Sequence, residues 1–166
     1  CVFENRTDIK SVVIPGSVTK ISYRAFWSCS SLINVNILSG VTVIGHESFA
    51  NCDNLSSIVI PDSVNSIGGW AFWKCRSLKN VNIPTSVTDI HNGAFSGCSS
   101  LTSIDIPKGV TNIRYAVFFE CGSLASVSIP KGVTTIEQWA FKGCVSLINI
   151  EIPSEVTSID EIAFLE

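Results

Sequence analysis

Residues 78–100 have the sequence LKNVNIPTSVTDIHNGAFSGCSS, and this pattern is repeated along almost the whole chain. Its cysteine recurs every 23 residues, at Cys29, Cys52, Cys75, Cys98, Cys121 and Cys144. Its phenylalanine recurs without a gap, at Phe3, Phe26, Phe49, Phe72, Phe95, Phe118, Phe141 and Phe164. One leucine and two isoleucines keep the same interval. A fixed period between 20 and 50 residues indicates a solenoid, in which each copy stacks only on its neighbours.

The order of residues within one copy predicts a strand, a bend and a corner. In residues 101–106 apolar side chains alternate with polar ones and β-branched residues are frequent, which favours a strand. Pro107 ends the strand because proline has no N–H to donate to a ladder. Val110 and Ile113 lie three positions apart, which fits a short irregular strand. The Ala-Phe pair fills the bend, and the small apolar cysteine fills the corner. The sequence therefore predicts a β-rich solenoid of about seven coils with a parallel β-sheet.

Composition excludes several classes of protein. The chain has 166 residues, of which 46% are apolar and only 15% charged, so it is not a disordered chain. Its net charge of −3 provides no basic field for nucleic acid or for an anionic membrane surface. It also lacks an apolar run of about 18 residues, so we expect no membrane insertion.

The pattern L-x-x-I-x-I-P-x-x-V-T-x-I-x-x-x-A-F-x-x-C-x-S closely resembles the BspA-like class of leucine-rich repeats, and the match covers essentially the whole chain. The resemblance implies a right-handed leucine-rich repeat array whose long strands form one parallel sheet. It also implies a cell-surface or secreted protein, commonly an adhesin that binds protein or glycan on host or neighbouring cells. The repeat residues of the family are structural, so the resemblance implies no catalytic residue. The departures from the pattern are few: Leu38, Ser48, Val117 and Arg6.

The whole chain, residues 1–166, is predicted to be a single leucine-rich repeat solenoid domain. Neither end carries a polar capping repeat, so we interpret the chain as a fragment of a longer array. Uncapped ends would expose apolar columns and unpaired strand edges, which favours end-to-end self-association.

The cysteine column has three interpretations: metal binding, disulfides or packing. There is no C-x-x-C, and His46 and His91 occupy different columns, which disfavours a zinc site. Stacked cysteines are within disulfide range by distance, but equivalent side chains point the same way, which disfavours the bond. Packing as buried free thiols is the favoured interpretation.

The sequence contains no enzyme signature and no cofactor motif. Asp105 and Glu151 share a column but lie two coils apart, near 10 Å by strand spacing, which is too loose for a carboxylate pair. A non-catalytic binding module is therefore the favoured function. The alternatives are a structural spacer that projects another domain and an intracellular scaffold for protein interactions.

Two surfaces are candidates for binding a partner. The first is the outward face of the strands, where polar residues alternate with valine; its candidates are Asn36, Asn82, Asp105 and Glu151. A solvated sheet face explains these equally well. The second is a set of aromatic residues around the phenylalanine column: Tyr23, Trp27, Trp70, Trp73, Tyr115, Phe119 and Trp139. Large rings can alternate with small side chains for packing alone, but tryptophan and tyrosine are also enriched at binding hot spots.

Overall fold

The structure, a computed structural model, describes residues 2–165, and Cys1 therefore lies outside the described residues. Within this range the chain forms strands of two to four residues joined by turns. In chain order the strands are β1 (Ser11–Ile14), β2 (Lys20–Ile21), β3 (Asn34–Ile37), β4 (Val43–Ile44), β5 (Ser57–Val59), β6 (Ser66–Ile67), β7 (Asp89–Ile90), β8 (Ser103–Asp105), β9 (Asn112–Ile113), β10 (Ser126–Ser128), β11 (Thr135–Ile136) and β12 (Ser158–Ile159).

The strands pair in parallel with residues 23 positions apart, which confirms the predicted solenoid. The longer strands form the ladders β1-β3-β5 and β8-β10, and the two-residue strands form β2-β4-β6-β7 and β9-β11-β12. Val35, for example, lies between Val12 and Ile58. Each of the seven coils therefore contributes one two-residue strand to a second set of ladders beside the predicted sheet.

The sheet of longer strands is interrupted, which the repeat pattern does not predict. Asn80–Ile83 has the same sequence as β3, yet it makes only an isolated bridge, from Asn80 to Ser103. The ladder of short strands is also interrupted, between β7 and β9. At this interruption the Arg114 guanidinium donates a hydrogen bond to the Asp89 carboxylate at 2.9 Å. Ladder formation depends on the neighbouring coil as well as on local sequence.

A column of stacked phenylalanine rings runs along the core. Successive rings from Phe3 to Phe164 lie within 19° of parallel, with centroids 5.1–5.9 Å apart. The widest spacing, 5.9 Å, separates Phe95 from Phe118, next to the break between β7 and β9. The predicted leucine and isoleucine columns surround the rings and are buried in the central coils. Each coil thus shares an apolar layer with the coils on both sides.

The cysteine column is buried, which confirms the packing interpretation. The six cysteines from Cys29 to Cys144 are free. Each thiol donates to the carbonyl of the phenylalanine 26 residues earlier, at 3.0–3.2 Å. The side chain therefore fills the corner of one coil and ties it to the preceding coil.

Between Val2 and Leu165 the structure contains no helix with the length and apolar character needed to cross a membrane.

Replacing Ser48 with alanine is expected to stabilise the protein. The Ser48 side chain is fully buried and its hydroxyl has no hydrogen-bond partner among the described residues. Alanine occupies the same position in most other coils. Because an unsatisfied buried hydroxyl costs about 1–3 kcal/mol, Ser48→Ala should raise the free energy of unfolding by about 1 kcal/mol in urea denaturation. Ser63→Ala is the control. It should lower stability, because the Ser63 hydroxyl donates to the Val41 carbonyl at 2.7 Å. A less stable Ser48→Ala variant would contradict the assignment.

The buried thiols should make stability fall at alkaline pH. Burial raises the pKa of Cys98 and of Cys144 to about 12, and raises that of Cys75 and Cys121 well above the ordinary value. The unfolded chain loses these protons near pH 8.5, whereas the folded chain keeps them. Stability is therefore complete below that pH and falls as the pH rises towards 12, by up to about 1.4 kcal/mol per thiol per pH unit.

The measurement is urea denaturation at pH 7.5, 9 and 10 under reducing conditions. Cys98→Ala is the control, because it should reduce the slope of stability against pH by the contribution of one thiol. A stability that stays constant from pH 8 to 10 would show that the thiols titrate normally in the folded protein.

Candidate functional site

The turns that follow the two-residue strands form one edge of the solenoid, which we call the aromatic edge. It comprises residues 22–28, 45–51, 68–74, 91–97, 114–120 and 137–143. Each of these turns contains two residues with positive φ, four positions apart. The first of the pair is Arg24, Glu47, Trp70, Gly93, Ala116 or Trp139, with φ between 50° and 63°. Non-glycine residues are uncommon in this left-handed region, so the sharp turn is imposed by the stacking of the coils.

The structure places the aromatic candidates at the surface, but mostly with part of each ring covered. Tyr23 is exposed, at 51% of its surface. The other rings are half-buried: Trp27, Trp70, Trp73, Tyr115, Phe119 and Trp139. These side chains therefore belong neither to the core nor to a fully solvated surface.

Large and small side chains alternate along one column of this edge. Trp27, Trp73 and Phe119 occupy it in every second coil, and the coils between them carry Ala50 and Ser96. Ala50 is fully buried and Ser96 is only 4% exposed. Each small residue is thus covered, and part of each large ring is committed to packing. The outer part of each ring remains available to a partner.

The first cluster of rings lies in the first three coils and includes a histidine. His46 stacks on Tyr23 with ring centroids 5.7 Å apart, and on its other side meets Trp70 edge-on at 5.7 Å. The Arg24 guanidinium lies 5.0 Å from the centre of the Tyr23 ring and 5.2 Å from that of Trp27, which is cation–π distance. The cluster therefore presents one permanent cation and four rings on adjacent turns.

Two carboxylates beside this cluster are already neutralised. Glu47 pairs with the Arg24 guanidinium and with His46 Nε2, which lies 3.1 Å away. Asp89 pairs with His91 Nε2 at 2.8 Å and with Arg114 at 2.9 Å. Neither carboxylate leaves an uncompensated negative charge at this part of the edge.

Two depressions adjoin the His46 ring. One, which we call the glycine groove, has a volume of about 310 Å³; its floor includes Gly45, Gly68 and Gly69, and its walls include Lys20, Tyr23, Ser66 and His91. The other, the tryptophan pocket, has a volume of about 290 Å³ and is lined by His46, Glu47, Trp70 and Trp73. His46 borders both. Both volumes lie near the lower end of the range for small-ligand sites.

The second cluster of rings lies in residues 114–120 and 137–143, separated from the first by one turn, and is packed differently. Trp139 contacts Tyr115 at 5.4 Å and Phe119 at 5.8 Å between ring centroids, and the Lys142 ammonium lies 5.3 Å from its centre. The indole N–H of Trp139 is buried without a partner among the described residues. These rings mainly pack on one another.

The sheet-face candidates are separate from the aromatic edge. Asn36 and Asp105 lie in β3 and β8, whereas Asn82 and Glu151 lie in coils where this segment is not a regular strand. All four are exposed. The same column also exposes Val13 and Val59, at 63% and 59% of their surfaces. The structure therefore brings the aromatic residues together in two clusters and leaves the four polar residues spread along another face.

Sequence reasoning missed His46, Glu47 and Lys20 as members of a site. The signal for His46 was available, because it stands in the same repeat position as Tyr23 and Tyr115. Lys20 and the glycines gave no such signal. The groove forms where glycines leave space between coils, and a search for conspicuous side chains does not find such positions. Among residues 2–165 no group of three His, Cys, Asp or Glu side chains is arranged to hold a metal ion.

Comparison with known proteins identifies the repeat. The model of the "BspA type Leucine rich repeat region (6 copies)" matches residues 1–125 and 42–166, and so covers the whole chain. The chain belongs to the BspA-type leucine-rich repeat family. The family model describes six copies of the repeat, and its two matches to this chain overlap at residues 42–125. No curated protein matches the chain significantly.

Solved structures of leucine-rich repeat proteins share the fold. The leucine-rich repeat protein TpLRR of T. pallidum is 34% identical, with a TM-score of 0.86 over 90% of this chain and 72% of that one. A leucine-rich repeat protein from Bacteroides ovatus is 31% identical, with a TM-score of 0.70 over 95% of this chain and 46% of that one. The pneumococcal vaccine antigen PcpA, at 19% identity, has a TM-score of 0.60 over 91% and 36% of the two chains, which indicates the fold alone. The last two proteins are more than twice as long as the part this chain matches.

The left-handed backbone at Trp70 predicts an unusual order of stability among variants of this BspA-type chain. Trp70 has a φ of 50°, and the equivalent residue of the next coil, Gly93, has a φ of 63°. Trp70→Gly loses the packing of the ring but also relieves the left-handed strain, which Trp70→Ala keeps. We therefore expect Trp70→Gly to be more stable than Trp70→Ala by about 1 kcal/mol in urea denaturation.

Trp73 supplies the matched control, because its backbone does not adopt positive φ. There the order should reverse, with Trp73→Ala more stable than Trp73→Gly. The same order at both positions would show that backbone conformation does not decide the effect.

Proposed function

We propose that this chain is a non-catalytic binding module of the adhesin type, which attaches to protein or glycan on a host or neighbouring cell. The contact is made by the aromatic edge, and principally by the rings and depressions around His46. We also propose that the protein acts at the cell surface or after secretion, a location that membership of the BspA-type family supports.

The observation that carries this proposal is the pair of depressions that meet at His46. A regular solenoid needs the phenylalanine, leucine, isoleucine and cysteine columns for its core. It does not need Tyr23, His46, Trp70 and Trp73 on adjacent turns. Partly exposed tryptophan and tyrosine offer a large rigid surface with a polar group, the type of residue that dominates binding energy at interfaces.

The chemistry of the reactive groups supports binding rather than catalysis. The thiols of the cysteine column are buried, donate to backbone carbonyls and have raised pKa values, so they are weak nucleophiles. His46 and His91 are each paired with a carboxylate beside them. The thiols therefore tie neighbouring coils together, and each histidine is held by a carboxylate of its own coil.

A structural spacer is the rival function, and the distribution of aromatic residues favours binding over it. A spacer requires the core columns and a solvated surface. It gives no reason for half-buried tryptophans to collect around one histidine. In the turn of residues 91–97, Asn92 occupies the repeat position of His46 and Gly93 that of Trp70.

Attachment of protein-coated beads to cells tests the proposal. Fluorescent beads carrying the chain are added to cultured epithelial cells and to bacterial cells, and bound beads are counted against albumin-coated beads. The double variant Trp70→Gly/Trp73→Ala uses replacements that the chain itself carries at equivalent positions, Gly93 and Ala50. It should lower attachment about tenfold or more, because truncating a hot-spot side chain costs about 2 kcal/mol or more.

The matched control is Asn36→Ser/Asn82→Ser on the sheet face, where Ser128 occupies the equivalent position. It should attach like the parent chain, and far-ultraviolet circular dichroism should confirm that all variants are folded. Beads that attach to neither cell type better than albumin beads would favour the spacer. Loss of attachment only in the sheet-face variant would assign binding to that face instead.

A further inference from the structure

The glycine groove is a surface depression created by side chains that are absent from two coils. Its floor follows two neighbouring columns of the repeat. In other coils the first column holds Ser22, His91 and Arg114, and the second holds Tyr23, Asn92 and Tyr115. Gly45, Gly68 and Gly69 occupy these positions in the coils between. A Cβ atom on Gly68 would lie 2.6 Å from the His46 backbone nitrogen. The close approach of the coils therefore requires glycine here, and the depression is a fixed part of the fold.

The charge around this groove is positive, although the whole chain is acidic. Residues 1–91 contain seven Lys and Arg against six Asp and Glu, whereas residues 92–166 contain four against eight. At the groove, Glu47 and Asp89 are each paired with a cation. Lys20 lines the groove and is not ion-paired with any described carboxylate. Lys20 is therefore a free positive charge at the wall.

The tryptophan pocket, which His46 also lines, offers the complementary chemistry. Trp70 and Trp73 provide aromatic surfaces, and Glu47 and His46 provide polar atoms. The Lys74 ammonium lies 4.4 Å from the centre of the Trp73 ring, so one face of that ring is already covered and the other faces the ligand. A pyranose ring has the matching shape, because its C–H bonds form an apolar face and its hydroxyl groups lie around the rim. Aromatic walls with a few polar groups are typical of small-ligand sites.

The geometry points to an acidic oligosaccharide as the ligand of these two depressions. One sugar unit lies against Trp70 and Trp73, the chain passes over His46, and the carboxylate or sulfate of a neighbouring unit enters the glycine groove beside Lys20. Ser66 also lines the groove, where its hydroxyl can bond a sugar hydroxyl. This inference rests on the proposed binding function and specifies the class of its ligand.

A folded protein partner fits these features less well. The two depressions are small, each of about 300 Å³, and share one histidine in their lining. Protein interfaces of standard size bury about 800 Å² on each partner and centre on a single well-packed patch. A thin chain of linked rings matches a pair of small adjoining depressions more closely.

Direct binding to oligosaccharides of equal length tests the inference. The probes are oligogalacturonate hexamers, which carry carboxylates, heparin-derived hexamers, which also carry sulfates, and neutral maltohexaose. Dissociation constants are measured by isothermal titration calorimetry at low and high salt. We expect at least one acidic hexamer to bind tenfold or more tightly than maltohexaose, with an affinity that falls as salt rises. The preferred acidic hexamer shows whether carboxylate alone is sufficient.

Two charge-reversal variants separate the groove from the net charge of the protein. Lys20→Glu should weaken binding of the acidic hexamer about tenfold or more, while Lys108→Glu, an exposed lysine in another column, should have little effect. Trp70→Gly/Trp73→Ala should weaken binding of the same hexamer. Equal losses from Lys20→Glu and Lys108→Glu, or no preference for acidic hexamers, would overturn the inference.

The bead experiment and the oligosaccharide titration together distinguish a wrong ligand class from a wrong adhesin role. If beads attach to cells and lose attachment in the tryptophan variant, while no acidic hexamer binds, the ligand class is wrong and the binding function stands. If acidic hexamers bind as expected but beads do not attach to cells, the site is assigned and the adhesin role is wrong.

Discussion

The stack of phenylalanine rings is the contact on which the rest of this molecule depends. Each ring lies 5.1–5.9 Å from the next, so the stack sets the distance between coils. That distance fixes the parallel ladders, the approach of each thiol to the preceding carbonyl and the positive φ of the turns on either side of each ring. Residues such as Glu47 and Trp70 adopt a left-handed backbone because the coil must place its phenylalanine in the column. Strain in the turns is outweighed by burial in the core.

Much of the fold could be predicted from the sequence, because the same apolar residue recurs at the same position of each repeat and so indicates a buried column. The columns of phenylalanine, leucine and cysteine are buried in the central coils, as predicted. The extent of the ladders could not be predicted, and the tetrapeptide NVNI shows why. It forms β3 at Asn34–Ile37, yet makes only one bridge at Asn80–Ile83. Pairing depends on the relative position of two coils, here near the widest step of the ring stack, and not on either segment alone.

The candidate site was only partly visible in the sequence for a related reason. Tryptophan and tyrosine stand out in a repeat, so Tyr23, Trp70 and Trp73 could be named. The two depressions depend instead on residues 23 positions apart that meet across coils, and on glycines that leave space. A surface depression forms where glycine replaces a larger side chain of the neighbouring coils. A pattern of conspicuous residues does not indicate where this happens. Trp139 shows a different limit of the sequence, which does not indicate that this equally large ring contacts Tyr115 and Phe119.

The regular 23-residue offset has a consequence for how the gene can change. Recombination between two copies of the repeat removes or adds whole units of 23 codons, and the reading frame is kept. The coils on either side of the junction then meet with the same phenylalanine, cysteine and strand positions facing one another, because each contact already joins equivalent residues. The length of the rod can therefore vary between relatives at little cost in stability. The cluster around His46 occupies adjacent coils, so it is inherited as one block whenever the exchange falls elsewhere.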